Sequence, residues 1–548
     1  MRYPQVIFAA LVVAGALAST APAARAVEHD PDPNPDRDSL ARTTPEQLRN
    51  GDDSQLRFLA YFITRAEVTN VSPTNDLLQG RVVGRLFGPN TTTTTQGTSW
   101  LIEQRLIPFI VFEPKILDKM ARLRASFEIN WTWGDTSYSV GGNFGGALSG
   151  RSVNLETQNV EVELTLPHRW QMNIGLQRLW DNIRDPYRTF FSTMSLTGER
   201  LAFWGTDAVG ISAHGPAFGN YFRFGAYDLY HNKVSQDDHV LLFEALTDRD
   251  IRDGWHLGGS VRYLRDTSSG AGGVSVLGQG PDSTLADYNG VFRFPLNGQK
   301  YHANLAWLGL NSSYNPEFTA GRFGGSAFAV ASLGRLDVVQ PDGHYAKAAD
   351  VLGLALDARV GYRYGNSRND VVTGEVIYTT GDANGITDGR YSGVITGNTY
   401  GAPAGVFTTS GAYLLMPHAN VVNRYYAAVP DLSNQGYGLT AGTANASYDL
   451  YRNVLTAKVG AAVGSSNVAP PGGGHFIGVE GNAMIAYRIR VFLSVELHAA
   501  YLHLGDFYDS PREQAASLTT APAAAGAGAL GRPRDPWTTF LALKWLMF

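Results

Sequence analysis

The stretch Ala121–Trp133, ARLRASFEINWTW, decides the fold class of this chain. The residues alternate between an apolar set and a polar set: Ala121, Leu123, Ala125, Phe127, Ile129, Trp131 and Trp133 against Arg122, Arg124, Ser126, Glu128, Asn130 and Thr132. A helix would distribute these residues around its circumference, whereas successive side chains of a strand point to opposite faces. The stretch therefore predicts a β-strand with one apolar and one polar face.

The same alternation recurs in WQMNIGLQ (170–177), LALDARVGYRY (354–364) and VFLSVELHAAY (491–501). These runs approach or reach the length of about 9 to 11 residues that a tilted membrane strand requires. No later stretch reaches the roughly 18 to 20 apolar residues of a helical span. If the chain crosses a membrane, it must do so as a β-barrel, with lipid outside and water inside.

We predict an all-β fold, a transmembrane antiparallel barrel of about eighteen strands, with an even strand number as in bacterial single-chain barrels. The predicted strands cover 56–70, 98–112, 119–134, 152–166, 169–180, 200–215, 219–231, 238–248, 254–266, 285–297, 299–311, 350–365, 369–381, 435–449, 453–466, 475–488, 490–505 and 537–548. Short connections, such as 167–168 and 488–490, alternate with long ones at 134–152, 267–284, 312–349, 382–434 and 506–536. Short turns belong to the periplasm and long loops to the outside.

The two ends of the chain carry export signals. Arg2, an apolar run from Val6 to Ala18 and the triplet Ala24-Arg25-Ala26 predict a signal peptide over 1–26. Residues 27–55, rich in Asp and Pro, are predicted as a periplasmic linker, and 56–548 as the barrel.

The C-terminal stretch, PWTTFLALKWLMF, resembles the last strand by which the barrel-assembly machinery recognises its substrates. We expect Phe540, Ala542, Leu546 and Phe548 on the lipid face. Lys544 either reaches from that face to the headgroups or indicates the opposite register, with Lys544 in the lumen.

Composition agrees with a barrel: 61 Gly, 26 Phe, 26 Tyr and 10 Trp accompany only 17% charged residues. The formal charge of −5 gives no basis for a nucleic-acid partner. The absence of cysteine excludes a lipoprotein anchor, disulfides and thiolate metal sites. The expected partners are outer-membrane lipid and lipopolysaccharide, with a polysaccharide or a small solute as cargo and no cofactor.

From Val160 onward the sequence resembles the alginate-export family of outer-membrane proteins. The resemblance lies in VEVELTLPHRWQMNIGLQRL (160–179), ERLAFWGTDAVGIS (199–212), YFRFGAYDLY (221–230) and GEVIYTTGDANG (374–385). It implies an eighteen-stranded export channel for an exopolysaccharide. Leu176 stands where that family has the arginine of a Gly-Arg-Gln triplet, so no polymer-binding arginine is transferred by position.

Successive side chains of a strand point alternately to the lipid and to the lumen, and this alternation, here called strand parity, predicts which charged residues line the pore. The cations are Arg65, Arg105, Arg122, Arg124, Arg223, Arg262, Arg293, Arg359, Arg363 and Lys458. The anions are Glu67, Glu103, Glu128, Glu161, Glu163, Asp357, Glu375, Glu480 and Glu496. We favour ion pairs along the wall over a track for an anionic polymer, in which Arg122 and Arg124 would face the narrowest part.

Evidence for catalysis or metal binding is sparse. Ser212 and His214 lie two apart on one strand, as a nucleophile and its base would, but without a positioned acid. Asp382, Asn384 and Asp388 resemble a Ca²⁺ ligand run, for which a polar turn is the preferred interpretation. We therefore predict no catalytic residue and no metal site. The predicted function is an outer-membrane channel that exports an exopolysaccharide, and the alternatives are a general or solute-specific diffusion porin, an outer-membrane hydrolase and an adhesin.

Deleting Phe548 is expected to leave processed but unfolded protein in the periplasm, because the terminal aromatic is part of the predicted assembly signal. The measurement is the heat-modifiable band of folded barrels on a gel. Normal insertion of the truncated chain would show that the terminal aromatic is incidental.

Overall fold

The structure is a computed structural model. It describes residues 55–73, 82–87, 92–133 without 119, 153–179, 203, 207–231, 238–269 without 253, 294, 296, 299–397 without 317, 411–418, 422, 424–514 without 491, and 532–547. The predicted signal peptide, almost all of the predicted linker, Arg293 and Phe548 lie outside these residues.

The described part of the chain is almost entirely β-structure. In chain order its strands are β1 (Leu56–Pro73), β2 (Val82–Arg85), β3 (Thr92–Phe112), β4 (Ala121–Thr132), β5 (Val153–Thr165), β6 (Gln171–Arg178), β7 (Asp207–Ala217), β8 (Asn220–His231), β9 (His239–Arg252), β10 (Trp255–Asp266), β11 (Tyr301–Tyr314), β12 (Phe323–Val339), β13 (Tyr345–Arg363), β14 (Val371–Thr379), β15 (Arg390–Tyr391), β16 (Arg424–Ala427), β17 (Leu439–Tyr451), β18 (Leu455–Ser465), β19 (Phe476–Arg490), β20 (Leu493–Leu504) and β21 (Trp537–Met547).

Eighteen of these strands form one closed antiparallel ring, which confirms the predicted fold class. Each barrel strand pairs with its neighbours in sequence, and β1 closes the ring by pairing with both β3 and β21. In the closing pair, Ala60 lies opposite Met547 and Thr69 opposite Thr538. Closure removes both free edges of the sheet, which a lipid environment could not hydrogen-bond.

Three short strands lie outside the ring. β2 and β16 pair with each other in parallel, and β15 pairs in parallel with the start of β13. The short helical segments of the described chain are the α-helix Pro511–Gln514 and 3-10 turns at Lys115–Leu117, Pro167–Arg169, Asn434–Gly436 and Asp506–Asp509. No helix in the described ranges combines the length and the apolarity needed to cross a bilayer.

The two faces of the wall follow the alternation of the sequence. On β4, Arg124, Ser126, Glu128 and Asn130 are buried toward the lumen, while the alternate residues are more exposed outward. Large apolar side chains cover the outside of the barrel, including Leu257, Leu310, Leu352, Val360, Val459 and Leu541. Exposed aromatic residues flank this belt, such as Trp100, Tyr263 and Tyr501 toward one end and Phe323, Tyr487 and Trp545 toward the other. An apolar belt between aromatic girdles is typical of an outer-membrane barrel.

Short and long connections segregate to opposite ends of the barrel. At one end the strands meet in connections such as 218–219 between β7 and β8 and 452–454 between β17 and β18. The opposite end carries 267–300, 380–438 and 505–536. We therefore place the short turns in the periplasm and the long connections outside.

One predicted strand was wrong and one observed strand was missed. β10 pairs directly with β11, so the predicted strand 285–297 has no place between them. Its described residues Phe294 and Leu296 are instead buried among apolar side chains inside the barrel. The missed strand is β12, in the predicted loop 312–349, and the two errors cancel in the strand count.

The residues expected on the lipid face of the last strand were wrong. Phe540 and Ala542 are buried toward the lumen, and Lys544 forms an ion pair with Glu496 inside the barrel. Leu541 and Trp545 face outward. Leu546, on the lumenal parity, packs against the cluster of Leu59, Ile107 and Phe109. The alternative register, with Lys544 in the lumen, is the one observed.

An epitope inserted between Asp342 and Gly343, at the tip of the β12–β13 hairpin, should be accessible to antibody on intact cells. The same epitope inserted between Phe218 and Gly219 should become accessible only after the outer membrane is permeabilised. These positions lie at opposite ends of the barrel and both fall in short connections. Labelling at Phe218 on intact cells would invert the orientation.

Candidate functional site: the lumenal wall and its plug

The inner wall carries a series of ion pairs that cross from strand to strand. A guanidinium nitrogen of Arg65 lies 2.6 Å from a carboxylate oxygen of Glu67 on its own strand, and another lies 2.9 Å from a carboxylate oxygen of Glu103 on β3. The ion-pair distances below are likewise between nitrogen and oxygen. Arg105 on β3 lies 2.5 Å from Glu128 on β4. Opposite charges at neighbouring positions of one face are held together by the backbone register of the sheet.

Other inward cations predicted from parity have the same kind of partner. Arg223 lies 2.9 Å from Glu244, which also lies 3.7 Å from Arg262. Arg359 lies 3.0 Å from Glu375. Asp357, on the same face of β13 as Arg359, is buried, as are Glu375 and Glu480. Arg363 and Lys458 are partly exposed on the lumenal parity of their strands.

Arg122 and Arg124 are enclosed by carboxylates. Arg122 lies 3.2 Å from Glu163 and 3.4 Å from Glu113, and Arg124 contacts both Glu161 and Glu163. The Arg124 side chain is only 8% exposed. Their charges are balanced by neighbours on β5 and at the end of β3, so the two residues do not form an isolated positive surface.

The end of the lumen that carries the long connections is filled by chain folded inward, which we call the plug. It comprises residues 82–87, 391–397, 411–418, 422, 424–438 and 506–514. Its apolar members, among them Leu86, Val394, Leu414, Met416, Val429 and Phe507, are buried with inward-facing wall residues such as Trp307 and Phe328. The plug narrows the passage that the barrel encloses.

Glu480 on β19 anchors one segment of the plug to the wall. Its carboxylate accepts backbone N–H groups from Tyr413 at 2.7 Å, Leu414 at 2.8 Å and Leu415 at 2.7 Å. The Asn482 side-chain amide donates to it as well, at 2.9 Å. Three successive N–H groups directed at one carboxylate fix the conformation of that plug segment and balance a buried charge.

The closing strands of the barrel hold a second plug segment. The Tyr426 hydroxyl donates to Glu67 at 2.5 Å, and the backbone N–H of Val422 donates to Glu103 at 3.2 Å. Arg105 donates to the Val422 carbonyl at 2.8 Å. The carboxylates that pair with Arg65 thus also bind the plug.

Arg85, at the end of β2, joins three separate connections. Its guanidinium donates to Glu513 at 2.6 Å and to Gln435 at 2.5 Å, and lies 5.3 Å from the ring centre of Phe507. Leu86 continues the β2–β16 pairing through an N–H bond to the Ala427 carbonyl at 2.8 Å. Arg85 is 1% exposed, so its partners must be in place for the plug to be stable.

An aromatic stack connects the last strand to the plug. The centre of the Phe540 ring lies 4.9 Å from the ring centre of His418 in the plug and 4.4 Å from that of His498 on β20. The Phe540 ring is nearly parallel to both. Burial, together with the charge of Arg65, holds the pKa of His418 well below its usual range. His418 is therefore neutral at physiological pH and packs as an aromatic side chain.

Asp431 supports the next plug segment from within. Its carboxylate accepts a hydrogen bond from the Thr396 hydroxyl at 2.9 Å and another from the Ser433 hydroxyl. The bond to Thr396 joins two stretches of the 380–438 connection. Burial raises the pKa of its carboxyl despite these donors.

Two further sets of predicted residues have structural partners. Asp382 accepts N–H groups from Asn384 at 3.0 Å and Ser392 at 2.9 Å, and Asp388 accepts the Arg390 N–H at 2.9 Å, as polar turns do. No group of three or more potential metal-ligating side chains occurs in the ranges that the structure describes.

The Ser212 and His214 side chains make their hydrogen bonds to different residues. Ser212 donates to Gln177 at 2.6 Å, whereas His214 contacts Tyr221 at 2.6 Å and Asn173 at 2.9 Å. These contacts do not make Ser212 a nucleophile activated by His214.

Sequence parity identified the charged wall, but it missed the plug residues Arg85 and Tyr426 and the loop-holding role of Glu480. Parity reports which face a strand residue occupies and contains no information on which loop reaches that face. The apolar stretch AYLLM (412–416) inside a long connection was the available signal. An exposed loop rarely carries such a run.

Comparison with protein-family models and with curated proteins gives no match. Among solved structures, a BenF-like porin from Pseudomonas fluorescens Pf-5 is similar over 90% of this chain and 98% of its own, at 10% identity and a TM-score of 0.46. The Pseudomonas aeruginosa proteins OpdK, solved with vanillate, and OccK5 (OpdH) are each 11% identical, with TM-scores of 0.43 and 0.41. They cover 89% and 90% of this chain, and 98% of each of those chains is covered.

The fold and the wall of this chain define its class, an outer-membrane β-barrel. The assignment depends on the strand pairing, the lipid-facing belt and the polar wall of this chain itself. Membership of the alginate-export family, predicted from sequence, is not supported.

Phe540→Ala should destabilise the folded barrel by about 3 to 5 kcal/mol, because it opens a cavity between the plug and the wall. Leu541→Ala is the matched control, because Leu541 is the next residue in the chain and its side chain is 49% exposed on the lipid face. The measurement is urea unfolding in detergent, read by the heat-modifiable band. Equal effects of the two substitutions would contradict the observed register.

Proposed function

We propose that this protein is an outer-membrane diffusion channel for small water-soluble solutes, in which the plug sets the size of the passage. The observation that carries the proposal is the plug itself, anchored by hydrogen bonds to the inner wall of a closed barrel. Large barrels whose loops fold inward restrict passage by size and by the groups lining the remaining path.

Charged side chains below the plug that are not fully buried support a channel over a sealed barrel. Toward the periplasmic end, the inward side chains of Lys544 and Arg57 are 22% and 24% exposed. A lumen that served only as a packed core would hold apolar side chains there, because buried charges without water are costly. The ion-paired wall is suited to contact with water.

The plug argues against outward passage of a polymer. A polysaccharide chain would have to displace the segments held by Glu480, Tyr426 and Arg85, whose hydrogen bonds lie inside the barrel. The wall also lacks the isolated cationic surface expected around Arg122 and Arg124, since Glu113, Glu161 and Glu163 enclose them. Both features favour small solutes over the exopolysaccharide implied by the sequence resemblance.

Glu480→Gln should loosen the plug and raise the single-channel conductance in planar bilayers. The amide loses the charge-assisted bonds to Tyr413, Leu414 and Leu415, which weakens that attachment by about 1.5 to 3 kcal/mol. Swelling of proteoliposomes should show larger sugars entering through the variant than through the unmodified protein.

Glu163→Gln is the matched control, because Glu163 is also fully buried on the wall but contacts Arg122, Arg124 and Asn173, all of them wall residues. Its effect should be on ion selectivity, not on the size of sugar admitted. A wild-type protein and a Glu480→Gln variant that both fail to conduct would refute the channel and favour an adhesin with a sealed lumen.

A further inference from the structure

The outer surface of β10, β12, β13 and β15 carries exposed basic side chains at the end opposite the short turns. Arg335 is 54% exposed and Lys347 46% exposed, and Arg265 and Arg390 are also exposed. We call these four residues the rim patch. Their exposure is outward, since Leu264, Leu336 and Tyr391, next to three of them in sequence, are buried on the lumenal side.

Backbone register aligns three of the rim cations in one row across the sheet. Arg265 lies opposite Asn304, Asn304 opposite Arg335, Arg335 opposite Asp350, and Asp350 beside Arg390. The arginines are thus two strands apart, a spacing of about 10 Å between backbones. A ligand with two separated anionic groups could engage neighbouring arginines of this row.

The row of arginines lies at the level of the lipid headgroups of the outer leaflet. From the exposed aromatic Phe323 to Arg335, β12 covers about 40 Å along the strand. A strand tilt of about 40° reduces this to roughly 30 Å along the membrane normal, against an apolar belt about 25 Å tall. Arg335 therefore lies just beyond the hydrocarbon, on the side of the long connections.

Among the described residues, the four cations of the rim patch outnumber by one the three carboxylates beside them, Asp337, Asp350 and Asp388. Asp337 lies 2.6 Å from Arg335, and Asp350 lies 2.8 Å from Lys347. Asp388, near Arg390, already accepts its backbone N–H. Arginine presents parallel N–H donors that match the geometry of phosphate oxygens, and an exposed guanidinium retains that capacity.

An apolar groove lies lower on the same strands. It has a volume of about 480 Å³ and is lined on the lipid side by Leu310, Ala327, Ala329, Leu356, Ala358 and Tyr378, among others. The small alanine side chains form its floor between larger neighbours. The groove is open toward the lipid and its surface is almost entirely apolar.

We propose that the rim patch binds the phosphate groups of lipopolysaccharide, with the end of an acyl chain of the same lipid reaching the groove, which lies about 15 to 20 Å below the arginine row. A membrane lipid is the occupant that meets both surfaces, because phosphate lies at the headgroup level and hydrocarbon beneath it. The inference depends on the orientation of the barrel and not on what the lumen carries.

The test compares Arg265→Gln/Arg335→Gln/Arg390→Gln with a control that removes exposed cations at the periplasmic end, Lys115→Gln/Arg249→Gln/Arg452→Gln. Each purified barrel, its fold verified by the heat-modifiable band, is incubated with bisphosphorylated lipid A in detergent and examined by native mass spectrometry. The unmodified protein and the control should retain lipid A. The rim variant should bind it about tenfold more weakly or worse, since each charged hydrogen bond contributes on that scale.

Dephosphorylated lipid A should bind the unmodified protein as weakly as the intact lipid binds the rim variant. Equal retention by all three barrels, or no retention by the unmodified protein, would overturn the proposal. Displacement of lipid A by an equal amount of phosphatidylglycerol would refute the assignment to lipopolysaccharide. These readouts do not involve conductance, so they can fail while the channel proposal stands, and the reverse.

Discussion

Backbone hydrogen bonding in a hydrocarbon environment is the constraint on which the rest of this structure depends. No water is available at the membrane centre to pair with a free N–H or carbonyl, so the sheet must close on itself. Pairing of β1 with both β3 and β21 provides that closure. Once the ring is closed, each strand has one lipid face and one lumenal face, and every later feature is assigned to one or the other.

Closure also creates a lumen that is too wide for wall side chains alone to fill. Here inward-folded connections occupy one end, and the wall must present groups that hold them. Glu480, Glu67 and Glu103 accept hydrogen bonds from plug residues, while Trp307 donates its ring N–H to the Ile395 carbonyl at 2.7 Å. The wall therefore combines two surfaces, one that binds the plug and one, nearer the short turns, where charged side chains such as Arg57 and Lys544 stay partly exposed.

Sequence reasoning succeeded where the lumen is polar and failed where the lumen is filled. β4 faces charged neighbours, so its apolar and polar residues alternate clearly and its limits were predicted closely. β12 faces the plug, so its inward residues Phe328, Val330 and Leu336 are apolar, while Ala327 and Ala329 face lipid. That reversal weakens the period-two contrast. Phe294 and Leu296, which pack inside the barrel, belong to a stretch whose pattern predicted a strand that the ring does not include.

The same distinction explains why charged residues could be placed on the inner face but not given roles. Glu163 and Glu480 are both fully buried glutamates of the inner wall. Arginine side chains on the neighbouring strand balance the first, and register alone predicts such pairing. Backbone N–H groups of a connection some 65 residues earlier in the chain balance the second. A count of lumenal charges from sequence treats the two alike, although only the first is an ion pair of the wall. The carboxylate that holds the plug is the one whose partners carry no charge.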